Sequence, residues 1–321
     1  MKSRACPGHA PSVSVVVPVF GDGGDLDDLV TRVAQSLGSG QRVWELILVN
    51  DGSPAATWEK ILLLTRTSTV RGINLRRNFG QQNALLAGIL ASTGDIVVTM
   101  DDDLQHPPEE IPRLLEKIQT ADVVYGTPAA RVRGWTRNLI STLTKLMLAS
   151  VLGAAHARDI AAFRAFRGSL RSVFTGYRSP SVSIDVMLSW ATTSMTAVPV
   201  AYAPRRRGES GYGIRPLVRL TINLVTGFSV WPLRVASLIG LAVAAFGGLV
   251  LVFVLVRYMT ADTTVPGFAF LASLSAIFAG TQLFAIGIIG EYVARVHFRT
   301  MDKPAYVVES TANLPAKLEA S

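Results

Sequence analysis

Two long uncharged stretches near the C-terminus constrain this chain more than any other feature. Residues 235–256 form a run of 22 between Arg234 and Arg257, and residues 263–290 a run of 28 between Asp262 and Glu291, with no Asp, Glu, Lys or Arg in either. About 20 apolar residues in a helix cross the hydrocarbon core of a bilayer, so each run suffices for one span. Two buried core helices are the competing reading, but soluble helices seldom run so far without a charge on an exposed face. Ser273, Ser275, Thr281 and Gln282 make the second run more polar, and hydrogen bonds to a partner helix would accommodate them. The few residues around 260–266 separate the runs, so a hairpin is expected, with spans over 233–257 and 264–290. Gly247-Gly248 would allow close helix approach, and homo-oligomerisation through the hairpin, of open stoichiometry, is an expected partner state.

The flanking charges orient the hairpin. Arg215, Arg219 and Arg234 precede it, Arg295, Arg299 and Lys303 follow it, and the connection holds only Arg257 beside Asp262. The positive-inside bias places both long ends in the cytoplasm. No signal peptide is expected, since residues 1–11 lack an apolar core and the run 13–20 ends too soon. The expected organisation is a flexible N-terminus (1–11), a cytoplasmic catalytic domain (12–212), a juxtamembrane amphipathic segment (213–232), the hairpin, and a cytoplasmic tail (291–321) at the inner cell membrane. Cys6 is the only cysteine, which excludes an internal disulfide framework and a thiolate metal cluster. An excess of 31 Lys and Arg over 23 Asp and Glu favours phosphates, anionic lipid or nucleic acid as partners.

Ahead of the hairpin, β-branched runs alternate with helical patterns. Residues 13–20, 44–49, 70–75 and 95–100 read as strands; the pattern from Leu26 to Leu37, and residues 56–64 and 81–91, read as helices. This alternation predicts an α/β fold with a mostly parallel sheet covered on both faces, and such sheets bind ligands at the carboxyl ends of their strands. Asp22, Asp51 and Asp101, Asp102 and Asp103 follow strands and occupy those ends. Gly21-Asp22-Gly23-Gly24 is neither a dinucleotide fingerprint nor a Walker motif. Three consecutive aspartates at a buried strand end repel one another and are costly to desolvate without a counter-ion. A hard divalent cation, Mg2+ or Mn2+, relieves both problems. Helix capping near Pro107-Pro108-Glu109 would explain at most one of the three.

Val17-Pro18-Val19-Phe20, Val49-Asn50-Asp51-Gly52-Ser53, Arg77-Asn78-Phe79-Gly80 and Asp101-Asp102-Asp103-Leu104-Gln105-His106-Pro107-Pro108-Glu109 occur in this order, followed by Phe163-Arg164 and Arg207-Gly208-Glu209-Ser210. Together they resemble the family 2 glycosyltransferases of the GT-A fold, in the dolichol-phosphate mannosyltransferase-like branch that acts on polyprenyl phosphates and includes members with two C-terminal membrane helices. The resemblance covers about residues 12–300. It implies a Rossmann-like GT-A sheet with interfacial helices, and a nucleotide-sugar held by Pro18, Phe20, Asp22, Asp51 and Asp102. It further implies a metal on Asp101, Asp103 and Gln105, with Asp103 catalytic and Asp159 an acceptor-side catalytic aspartate. Gly21-Asp22 stands where the family usually has Asn-Glu, and Gly211 where a lysine often follows Glu-Ser. His106 abuts the acidic cluster and is a further ligand candidate, at a position the resemblance makes variable.

Arg131, Arg133 and Arg137 precede a segment with Trp135, Leu139, Leu143, Leu146 and Met147 on one helical face, and 217–231 is a second such segment. Both read as interfacial amphipathic helices that place cations at headgroup level; core helices with solvated arginines are the alternative. Arg131, Arg137, Arg164, Arg207 and Ser210 are the expected lipid-phosphate contacts, and an Asp159–Arg164 ion pair is the bland alternative for Arg164. A lipid monophosphate is already largely an anion at pH 7, because its second pKa is about 6, so no strong general base is essential. The expected activity is inverting transfer of a hexose from a nucleotide-diphosphate sugar, UDP-hexose favoured, to polyprenyl phosphate. A GDP-mannose donor and a non-enzymatic membrane scaffold are the alternatives. A processive polysaccharide synthase would carry Gln-x-x-Arg-Trp, which is missing. Nucleic acid is not an expected partner, because the basic residues lie beside apolar helices rather than between stacking aromatics.

Overall fold

The computed structural model describes residues 11–38, 42–128, 160–177, 182–203, 231–260, 267–301 and 303–314. The chain divides into two compact units, one of Met1–Gly213 with Asp302–Ser321 and one of Ile214–Met301.

In the first unit, β1 (Val13–Val19), α1 (Leu26–Gly38), β2 (Trp44–Asn50), α2 (Ala55–Leu64), β3 (Val70–Leu75), α3 (Gln81–Ala91) and β4 (Ile96–Thr99) follow the predicted alternation. Then come a 3-10 turn (Pro108–Glu110), α4 (Ile111–Lys117), β5 (Val123–Pro128), β6 (Arg164–Arg167), a second 3-10 segment (Gly168–Val173), α5 (Ile184–Ala191) and β7 (Met195–Val200). Among the described residues eight strands form one sheet, in the order β7-β5-β6-β4-β1-β2-β3-β8, where β8 is Val308–Ala312. β3-β2-β1-β4 run parallel, as does β5 with β7; β6 is antiparallel to β4 and β5, and β8 to β3.

The central strands are apolar throughout because both faces are covered. Val13, Val15, Val17 and Val19 share one core with Leu26, Leu29, Val33 and Leu37 of α1. Val16, Ile47 and Val49 point the other way, onto Ala84, Leu85 and Ile89 of α3. That second contact is close: a methyl group at Gly88 would come within 2.4 Å of Val16 Cγ1. Pro18 lacks a ladder donor, yet is tolerated inside a sheet because the β1–β4 pairing has already ended at Val16 opposite Thr99.

The predicted tail is partly structure. Residues after Met301 return to the first unit and supply β8, which covers the otherwise open edge of β3. Alternation over five residues gives little signal in a sequence, so this strand is not legible there.

The second unit contains α6 (Trp231–Thr260) and α7 (Phe268–Thr300). At 1.5 Å per residue, 30 residues reach about 45 Å, more than a hydrocarbon core requires. The stretches Leu233–Val250 and Ile277–Ala294 have mean hydropathies of 2.0 and 1.5. Leu241 and Leu249 remain about 70% exposed, which a core helix would not allow and a lipid-facing helix needs. The helices approach closely where Gly247 faces Phe278, whose ring would lie 2.4 Å from an added methyl. α7 runs ten residues past the predicted end at 290, since Glu291 and Arg295 continue a good helical sequence.

Candidate active site

The carboxyl ends of β1, β2, β3 and β4 converge. After β1, the loop 20–24 is pinned by α2, whose Thr57 hydroxyl donates to the Gly21 carbonyl (2.7 Å) and whose Lys60 Nζ donates to that of Gly23 (2.9 Å). Gly21 N donates to Ser53 Oγ (3.2 Å), tying the β1 loop to the β2 loop. Gly52 has φ +70°, and a side chain there would meet Asn78 N at 2.3 Å, so the β2 turn sits directly on the segment following β3.

Asp51 makes that junction. Its two carboxylate oxygens accept from Phe79 N (2.7 Å) and Gly80 N (2.9 Å), and it is buried. Burial raises its pKa, and the two amides act against that rise. Both oxygens are thus engaged within the protein, where the resemblance implies a contact to base or ribose. Pro18 is buried within β1, whereas Phe20, at 64% exposure, and Asp22 stand on the surface beside it.

The acidic cluster lies just past β4. Gln81, the first residue of α3, donates from its amide to Asp101 Oδ1 (2.6 Å). Asp102 Oδ2 accepts from Phe20 N (3.3 Å), which joins the β1 and β4 loops. Asp103 Oδ1 accepts from Gln105 N (3.1 Å). Leu104 between them takes φ 55°, a left-handed conformation rare outside glycine, and its fully buried side chain anchors the turn. This turn brings His106 back against the cluster, with Nδ1 4.0 Å from Asp101 Oδ2. Asp101, Asp103 and His106 each offer a ligand atom, all within 4.8 Å of one another.

The electrostatics show the strain of packing these acids together. Burial pushes the Asp102 carboxyl up to about 7, and the charges of Asp101 and Asp103 add to the effect. Burial raises Asp101 too, followed by the repulsion of Asp103. A divalent cation among these oxygens would reverse both effects, and the donor set of carboxylates with an adjacent imidazole fits one.

Behind the cluster lies Arg164 of β6, 1% exposed. Its Nε donates to Thr99 Oγ1 (3.0 Å) and its Nη1 pairs with Asp185 of α5, which also accepts from the Tyr125 hydroxyl (3.1 Å). Among the described residues its ion-pair partner is Asp185; Asp159, the alternative partner, lies outside them. The guanidinium has no surface on which to meet a lipid phosphate, but its charge lowers the pKa of Asp101. Arg131, Arg137, Asp159, Arg207 and Ser210 lie outside the described residues, as do the expected amphipathic segments but for Trp231. Gln81, which donates to Asp101, Asp185, which pairs with Arg164, and Tyr202, whose hydroxyl lies 3.1 Å from His106 Nε2, carry no sequence signal of their own; only the fold brings them to the site.

A mostly parallel sheet with an acidic cluster at the end of β4 fits the nucleotide-sugar transferases of the GT-A type. Residues 14–174, half of the chain, match the model of glycosyl transferase family 2. The chain belongs to this family and is a glycosyltransferase. It is 32% identical over 319 residues to an undecaprenyl-phosphate 4-deoxy-4-formamido-L-arabinose transferase of Pectobacterium carotovorum, covering 97% of this chain and 96% of that one. A Pseudomonas aeruginosa enzyme of the same name is 34% identical over 302 residues, covering 92% and 89%. Glucosyl-3-phosphoglycerate synthase from Mycobacterium tuberculosis, solved with Mn2+, UDP and phosphoglyceric acid, shares the fold at 18% identity (TM-score 0.50, 69% of this chain and 82% of that chain).

Proposed function

We propose that this protein transfers a sugar from a nucleotide-diphosphate sugar to a polyprenyl phosphate, with inversion, on the cytoplasmic side of a membrane. The observation that carries the proposal is the acidic tip of β4 within a chain that also holds two membrane-length helices. The near-full-length similarity to undecaprenyl-phosphate sugar transferases supports the acceptor class.

A divalent cation, Mg2+ or Mn2+, held by Asp101, Asp103 and Gln105 would supply Lewis acidity that stabilises the charge developing on the departing diphosphate. The chain's own groups do the rest. Asp102 and Phe20 N hold the β1 loop against the acidic turn, and the exposed Phe20 ring and Asp22 border the place for the nucleotide. Asp51 sets the shape of that place through the Phe79 and Gly80 amides. Arg164 supports the acids from behind, and Arg131, Arg137, Arg207 and Ser210 are proposed to bind the acceptor phosphate, with Asp159 on the acceptor side. Two polyanions then need only be held in line, since the lipid phosphate requires no deprotonation.

Strand β8 supports the topology. Segments before and after the apolar helices belong to one sheet, so the chain returns to the side it left, which an even number of crossings satisfies. With the arginine-rich flanks, this supports a cytoplasmic head.

The donor follows from a direct comparison. L-arabinose is a pentose, so the relatives' sugar differs from the hexose favoured by the sequence. Purified enzyme in liposomes with undecaprenyl phosphate would receive, in separate reactions, labelled UDP-hexoses, GDP-mannose and UDP-linked 4-deoxy-4-formamido-L-arabinose. A lipid product with the mass of a sugar monophosphate ester is expected from one of the UDP-linked donors. Transfer from GDP-mannose alone would replace the nucleotide assignment, and no lipid product from any donor would refute the function.

A further inference from the structure

We propose that His106 is a ligand of the bound cation through Nδ1, and that Tyr202 is the positioning residue that aims it. This rests on the reading of Asp101 and Asp103 as metal-holding residues and adds a nitrogen donor to the oxygen set.

Tyr202 has one hydroxyl proton to donate. The hydroxyl donates it to the Gly126 carbonyl (3.4 Å). With that proton so placed, the 3.1 Å contact between the Tyr202 oxygen and His106 Nε2 is one that a ring protonated at Nε2 donates, and this tautomer is part of the proposal. A neutral ring with its proton on Nε2 carries a lone pair on Nδ1.

That lone pair is buried, has no hydrogen-bond partner among the described residues, and looks toward the Asp101 carboxylate 4.0 Å away. In the proposed tautomer neither group can donate to the other, and at 4.0 Å the two make no hydrogen bond in any tautomer. Two acceptors facing each other in a buried site repel unless a cation lies between them. Two ligands each about 2.1 Å from a shared ion are separated by at most about 4.2 Å, so the observed gap is within reach of one. Neighbouring residues fix the ring's orientation. It stacks on Phe163 (5.4 Å) and meets Tyr202 edge-on (4.9 Å), and Ala203 N, next to Tyr202, donates to the carbonyl of Gln105. A second hydrogen bond that fixes the tautomer of a metal-binding histidine is the usual outer support of such sites. An imidazole donor also favours Mn2+ over Mg2+, because Mg2+ prefers oxygen and water.

The test uses Mn2+ alone, and Mn2+ with UDP, bound to the full-length protein in detergent. Pulsed electron paramagnetic resonance should show the hyperfine coupling of one directly bound nitrogen in at least one of the two samples. Protein labelled with 15N-histidine should convert it to the 15N pattern, which needs no variant to fold. His106→Gln should remove the coupling and weaken Mn2+ binding at least ~10-fold while changing Mg2+ binding less. Tyr202→Phe should keep the coupling and weaken Mn2+ binding about 10-fold. Absence of nitrogen coupling in both wild-type samples, or its survival in His106→Gln, overturns the ligand assignment. Unchanged affinity in Tyr202→Phe overturns the positioning role. Sugar transfer by a wild-type enzyme without the coupling would leave the proposed function standing while this inference falls.

Discussion

Asp51 illustrates how a functional-looking residue works through the backbone. Each of its oxygens holds one amide of the 79–80 turn, so Asp51→Asn, which keeps one acceptor, should leave an amide unmet. A fully buried unsatisfied amide costs about 1–3 kcal/mol; these two are half-buried, so the low end of that range and a melting temperature lower by a few degrees are expected. Asp95, at the opposite end of β4, gives a pH signature. The hydroxyl and backbone amide of Ser12 hold its pKa below the ordinary value. Its contribution to stability is therefore present above the unfolded pKa of about 3.9 and is lost as pH falls through the lower folded value. Asp95→Asn should flatten that acid limb in melting curves taken from pH 5 downward. At this scale the sequence shows which acids follow strands, because strand ends are marked by the loss of β-branched residues. It does not show that Asp51 turns inward or that Tyr202 reaches His106 across 96 positions, because both depend on how distant segments pack.

Between elements, the closest contacts explain themselves once the sheet is assembled. α3 lies on β1 and β2 because Gly88 has no side chain, and Gly88→Val should strain that contact by roughly 1–3 kcal/mol, measurable by denaturant unfolding. The β6–α5 contact rests on the buried Arg164–Asp185 pair. Arg164→Met leaves Asp185 without its cation, and a loss of about 3–5 kcal/mol is expected from the same measurement. Four strands and three helices were readable from periodicity, since each is a continuous apolar or amphipathic run. β6 and β8 were not, because four or five residues with polar interruptions carry no distinctive period. β8 should nonetheless matter to β3, whose Asn74 donates to Glu309 and accepts from Asn50. Deleting residues 308–312 should speed amide exchange in β3 and leave β1 protected.

For the whole molecule, the two long apolar helices and the head were both apparent from the sequence, one through missing charge and the other through alternation. The sugar was not, because no residue that would distinguish one hydroxyl pattern from another announces itself by type or spacing. The central claim is that the acidic tip of β4 supports sugar transfer to a polyprenyl phosphate. It is tested most directly by Asp103→Asn in the liposome assay, with membrane insertion and melting temperature measured on the same preparation. Removing one carboxylate should cut label transfer at least ~100-fold, comparable to losing one group that stabilises developing charge, with insertion unchanged. Undiminished transfer by a correctly inserted Asp103→Asn protein would contradict the claim.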